Sequence, residues 1–142
     1  LVPADPFQAA KVRELATYID LHLELVARNL YKEAFFGGKV SDNLKEKTAT
    51  QLKKNIAAFA SLARFTPFIG GDTFSLADCT AVAHLPLIST ATKIIYGQDF
   101  LSELPVKEYL RHLSTRATVT QVNADRKVSA EKMVARRQAS QG

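Results

Sequence analysis

Between Asp78 and Lys93 the chain runs for 14 residues without a formal charge, His84 apart. A bilayer needs about 20 apolar residues in a row, so this stretch is too short to span one and belongs in a protein core. Its opening, Ser75-Leu76-Ala77-Asp78, has the form of a capping box, in which the serine hydroxyl accepts the N–H three residues on and the aspartate reaches back to the serine N–H. Phe74, just before the cap, is placed to pack one turn later against Cys79 as a hydrophobic staple. Pro86 lies inside the helix and is expected to kink or interrupt it. A helix apolar on all sides must be wrapped by other elements, and those here are also helical. Every long segment has helical spacing and none has sustained strand alternation. The fold expected is an all-α bundle of five to six helices over residues 7–142.

The first of the wrapping elements runs from Phe7 to Phe36 without a proline or glycine. At 1.5 Å per residue such a helix is about 45 Å long. Asp5 can cap it with Pro6 at the first helical position, and Gly37-Gly38 ends it. Leu15, Ile19, Leu23, Val26, Leu30 and Ala34 make one apolar stripe, and Tyr18, Leu21 and Leu25 make a second on an adjacent face. Two stripes imply burial from two directions, by the bundle and by another domain or subunit; the central helix of a monomeric bundle would read the same way. A second helix is expected from about Ser41 to Arg64, with Leu44, Leu52, Ile56, Phe59 and Ala63 inward and Lys45, Glu46, Lys47, Lys53 and Lys54 solvated. A fourth starts near Pro105 and carries Val106, Tyr109, Leu110 and Leu113 on one face. Two shorter pieces follow, near Ala117–Asn123 and Ser129–Gln138.

A length of 142 residues predicts one domain, and at 46% hydrophobic the chain is too apolar for a disordered tail. The single cysteine, Cys79, excludes a disulfide framework and any cysteine-rich metal site, and a reducing, cytoplasmic setting is the default expectation. Net charge is +5, of which +3 falls from Asp125 onward: Arg126, Lys127, Lys132, Arg136 and Arg137 against Asp125 and Glu131. No aromatic interleaving or DNA-reading motif accompanies that segment, so it reads as a solvated face, and neither nucleic acid nor membrane is an expected partner. The opening Leu1-Val2-Pro3-Ala4-Asp5-Pro6 has two prolines, which hold their neighbours extended. It reads as an interdomain linker over residues 1–6 behind a further domain; a trimmed terminus is the alternative.

The stretch Phe68-Ile69-Gly70-Gly71-Asp72-Thr73-Phe74-Ser75-Leu76-Ala77-Asp78 resembles a signature in the C-terminal domain of cytosolic, bacterial-type glutathione transferases. The resemblance covers nearly the whole chain. Leu1–Pro6 looks like the connection after that family's thioredoxin-like domain, and Leu104-Pro105 and Leu113-Ser114-Thr115-Arg116 also fit. Ala117 stands where the family usually has proline, Cys79 where it has an aliphatic residue, and Pro86 is unexpected in the core helix. The resemblance implies glutathione as co-substrate, held and ionised mainly by a thioredoxin-like domain that this sequence lacks. It also implies a homodimer and a small hydrophobic electrophile attacked by the thiolate. The chain by itself is then expected to be inactive. The rival reading is a non-catalytic scaffold of the same fold that docks proteins.

On that resemblance Tyr31-Lys32 falls about where bacterial members place a His-Lys pair near the glutathione sulfur. A tyrosine there could donate to a developing anion and Lys32 could add positive potential. The alternative is a packed Tyr31 with its hydroxyl at the surface and a solvated Lys32. Glu24 sits near a position that reaches the neighbouring subunit's glutathione amine, or is an exposed helix carboxylate. Phe35 and Phe36 form an electrophile pocket or close the end of the bundle, and Tyr96 and Phe100 could face the same cleft. Ser75 and Asp78 are read as the structural cap. His22, His84 and His112 lack metal-ligand spacing, and Cys79 is expected to be buried and inert.

Overall fold

A computed structural model describes all residues, 1–142. The protein is all-helical, in five helical runs with no strand. The first begins with α1 (Pro6–Tyr18), where Asp5 accepts from the Gln8 N–H at 2.9 Å and Pro6 occupies the first turn. The run continues to Phe36, but not as one regular helix. A π-helical segment (Ile19–Glu24) follows α1, then α2 (Leu25–Ala27), a 3-10 segment (Arg28–Leu30) and α3 (Tyr31–Phe36). In the π segment the Leu25 N–H reaches back five residues to the Asp20 carbonyl. Asn55 of the next helix (α4, Asp42–Leu62) holds it from the side. Its side-chain amide donates to the His22 carbonyl at 2.7 Å, and its backbone carbonyl accepts from the Tyr18 hydroxyl at 2.7 Å. Gly37, at φ 73°, ends the run in the left-handed conformation that glycine adopts without strain.

Of the first stripe, Leu15, Ile19, Leu23 and Leu30 are buried and Val26 and Ala34 half-buried; Ala27, outside the stripe, is buried as well. The second stripe is uncovered: Tyr18 is half-buried, and Leu21 and Leu25 are exposed. The covering elements are α4 and α5 (Leu76–Tyr96), both packed on the π segment. Ser41 caps α4 by accepting from Leu44 N–H at 3.2 Å. Leu44 itself is exposed, and Thr48 and Asn55 join Leu52, Ile56 and Phe59 on the buried face. Lys45 is not solvated as expected; it is half-buried and pairs with Glu33 of α3 at 2.7 Å.

Between α4 and α5, Phe65 adopts φ 63°, a rare conformation for a bulky side chain. Its ring is buried between Phe59 and Tyr109, edge-on to both at 5.8 and 5.7 Å, and that packing offsets the backbone strain. α5 carries eight buried residues along its length, among them Ala77, Ala81, Leu85, Ile88 and Ala91. Pro86 lies within α5 and does not interrupt it: burial of Leu85 and Ile88 beside it outweighs the roughly 3 kcal/mol an interior proline costs. α5 ends at Gly97, again at φ 73°.

The last two helices are α6 (Val106–Leu113) and α7 (Ala117–Gln141). The expected two short pieces are a single 25-residue helix. The intervening Ala124–Val128 lacks an apolar rhythm but has no glycine or proline, and Gln121 bonds Asp125 at 2.9 Å across one turn. By its internal contacts the chain divides into two compact units, Leu1–Tyr109 and Leu110–Gly142. No helix is long and apolar enough to cross a membrane.

Candidate functional site

Asp78, expected as a simple cap, is a fully buried junction. Its Oδ2 accepts from the Ser75 N–H at 2.8 Å and from the Ser75 hydroxyl at 3.1 Å. Its Oδ1 accepts from the Ile69 N–H at 2.9 Å and from the Tyr109 hydroxyl at 2.7 Å. One carboxylate thus ties together the start of α5, the preceding loop and α6. Burial, reinforced by the adjacent Asp78 charge, pushes the Tyr109 hydroxyl far above its ordinary pKa, so Tyr109 stays a neutral donor. The Phe74 ring packs edge-on against Phe68 at 5.9 Å. Cys79 is half-buried rather than buried.

The other cluster lies on one face at the end of the first helical run. Glu24, Arg28, Tyr31 and Phe35 succeed one another at steps of four, three and four residues, which aligns them on a helix. Glu24 is not an exposed carboxylate: it is 6% exposed, and Arg28 grips both its oxygens, Nε to Oε1 at 3.0 Å and Nη2 to Oε2 at 2.6 Å. The Arg28 side chain is itself 60% exposed. That bond and the carboxylate's charge hold the guanidinium protonated, above its ordinary value.

Tyr31 does not place its hydroxyl at the surface. The oxygen is buried and has no hydrogen-bond partner, and burial followed by the Glu24 charge raises its pKa well above the usual value. The ring lies 5.1 Å from that of Phe35. Lys32 is exposed, and its stem is laid along Gly38: a Cβ there would meet Lys32 Cγ at 2.5 Å. Phe36 is 63% exposed and Phe35 half-buried. Glu33 is spent on the fold, accepting from the Val40 N–H at 3.1 Å as well as pairing with Lys45; those bonds hold its pKa below the ordinary range.

Tyr96 and Phe100 are engaged by α4. Their rings stack at 4.8 Å, the Tyr96 hydroxyl donates to the Lys45 carbonyl at 2.6 Å, and Lys53 lies 4.9 Å over Phe100. His84 meets Asp20 at 3.2 Å with its side chain 29% exposed, at the edge of the core rather than within it. No three His, Cys, Asp or Glu side chains are grouped to hold a metal ion. A surface cleft of about 340 Å³ runs along Arg13, Thr17, Tyr18 and His22, and no candidate residue lines it. Sequence reasoning missed Arg28, although a Glu–Arg pair four residues apart was there to be read. It also missed Tyr109 as the partner of Asp78, 31 residues away, for which no local signal exists.

These features define an all-helical domain whose central helix is locked by a buried aspartate junction. No family model matches the chain. Over 130 residues it is 36% identical to a curated glutathione S-transferase of Pseudomonas putida. That match takes in 91% of this chain and 59% of the relative, so the chain spans less than two-thirds of that protein's length. The similarity and the all-helical fold together fit the C-terminal domain of a glutathione S-transferase.

Proposed function

We propose that the chain is the helical domain of a working glutathione transferase. In this reading it supplies the wall against which a small hydrophobic electrophile rests while glutathione thiolate attacks it. The observation that supports this most directly is the 36% identity to a glutathione S-transferase along 91% of the chain. A thioredoxin-like domain preceding residues 1–6 would bind and ionise glutathione, and the chain alone would be inactive. Tyr31, Lys32, Phe35 and Phe36 form the wall. Glu24 serves it by fixing Arg28, since both its oxygens are already committed there. A homodimer in the cytoplasm completes the reading, and the uncovered Leu21 and Leu25 are consistent with burial by a further domain or subunit.

The test is calorimetry of glutathione with the protein encoded through the region upstream of Leu1, alongside a conjugation assay with a chloronitrobenzene. Saturable glutathione binding and conjugation by the longer protein, neither of them found with the 142-residue chain, are the expected results. A longer protein that ignores glutathione overturns the reading and leaves a scaffold that docks other proteins.

A further inference from the structure

Arg28 can bind along two edges of its guanidinium, and Glu24 takes only one, through Nε and Nη2. Nη1 makes no hydrogen bond within the chain, and the group is held in place by a buried carboxylate while 60% exposed. Three residues on, the Tyr31 hydroxyl is buried without a partner, an arrangement that folding alone leaves unfavourable. Next to it lies the Tyr31–Phe35 ring pair, with Phe36 exposed beyond. Glu24 offsets Arg28 and Lys45 offsets Glu33, while Lys32 and Lys39 are exposed without an ion-pair partner.

A fixed fork with an open edge, a hydroxyl donor with no acceptor, two uncompensated lysines and an aromatic flank share one complement. We infer that Arg28 and Tyr31 form a carboxylate-binding subsite, and that its ligand is an aromatic carboxylate. The guanidinium end would take the carboxylate, a shift of the Tyr31 ring would bring its hydroxyl, sealed from the surface in the unliganded fold, into donating range, and the Phe35 ring would cover the ligand's apolar part. This rests on the reading of this helix end as the electrophile wall, and it narrows the substrates to electrophiles that carry an acid group. Glutathione also carries carboxylates, so the two sources must be separated.

The experiment is an amide-signal NMR titration of the 142-residue chain with 4-methylbenzoate, 4-methylbenzamide and glutathione in turn. The benzoate is expected to shift signals between Glu24 and Phe36 saturably, and to bind at least tenfold more tightly than the neutral benzamide. Arg28→Gln should abolish the preference, but it strands a buried carboxylate and could unfold the chain. Tyr31→Phe is therefore the deciding variant: it removes a hydroxyl with no partner in the fold, and should weaken benzoate severalfold while leaving the spectrum folded. Saturation by glutathione instead, with the same loss in Tyr31→Phe, supports the subsite but overturns the electrophile as its source. Equal binding of benzoate and benzamide, unchanged affinity in Tyr31→Phe, or no saturation by either acid overturns the subsite. Because no arm of this test needs the upstream domain, its failure is distinct from a failure of the longer protein to bind glutathione.

Discussion

Asp78 and Tyr31 are opposite cases of a polar group placed among apolar ones. Asp78 accepts four hydrogen bonds, from two backbone N–H groups and two hydroxyls, so its removal strands donors in the loop and in α6 as well as at the cap. A helix cap alone is worth about 1 kcal/mol, whereas a buried charged acceptor that serves several donors is worth more. Asp78→Ala should therefore cost about 4 kcal/mol in urea unfolding and Ser75→Ala about 1 kcal/mol. If the two variants unfold at the same urea concentration, Asp78 is no more than a cap. Tyr31 reverses the sign, because its hydroxyl is desolvated with nothing to accept it. Tyr31→Phe should raise stability by about 1 kcal/mol, and a variant less stable than the wild type would show that the hydroxyl has a structural partner. A loss of ligand binding together with a gain in stability is what separates a functional residue from a packing one.

At the scale of elements, the π segment and the α3–α4 contact place the Glu24–Phe35 face, and each has a single side chain behind it. Asn55 is buried; its side-chain amide donates to the His22 carbonyl and accepts from Gln51 at 3.0 Å, while its backbone carbonyl accepts from Tyr18. Asn55→Ala should cost about 1–2 kcal/mol and speed amide exchange across Ile19–Leu25; exchange that rises evenly over the whole chain would show that Asn55 does not hold the segment. The Glu33–Lys45 pair ties α3 to α4, and its bonds depress the Glu33 pKa below the ordinary 4.5. A depressed carboxylate stabilises the fold above its unfolded pKa, and that contribution fades as pH falls through the folded value. The stability gap between wild type and Glu33→Gln should thus be constant from pH 7 down to about 4.5 and close on further acidification. A gap that persists unchanged at pH 2.5 would mean the ion pair contributes nothing. The caps at Asp5, Ser41, Ser75 and Gly37 could be read locally, because a cap needs only three or four neighbours in sequence. The π segment could not, since Asn55 reaches it from 33 residues away, and the continuity of α7 was hidden because an exposed helix has no apolar rhythm to show.

For the whole molecule, the all-helical fold was legible because the uncharged stretch after Asp78 demanded helices to cover it, and Leu15, Ile19, Leu23 and Leu30 answered at the matching spacing. The candidate site was legible only in its residue types. Tyr31, Phe35 and Glu24 follow one another at helical steps, but the 6% exposure of Glu24 and the grip of Arg28 on its carboxylate are not written in a local pattern. The C-terminal charge was read correctly as a solvated face for Lys127, Lys132, Arg136 and Arg137, all of which are exposed, while Arg126 is half-buried. From Lys127 to Gly142 every residue is exposed, so those sixteen positions make almost no buried contact to lose. Their helix is held by backbone bonds and propensity alone, which in water is marginal for a segment of that length. A chain ending at Arg126 should accordingly match the full chain within about 0.5 kcal/mol in urea unfolding, with a proportionate loss of helical circular dichroism. The same truncation should leave the benzoate titration at the Glu24–Phe36 face unchanged, since no residue of that face lies beyond Phe36. If stability falls by several kcal/mol instead, the tail has a partner in solution, and its exposed Val128, Met133 and Val134 are where that partner binds.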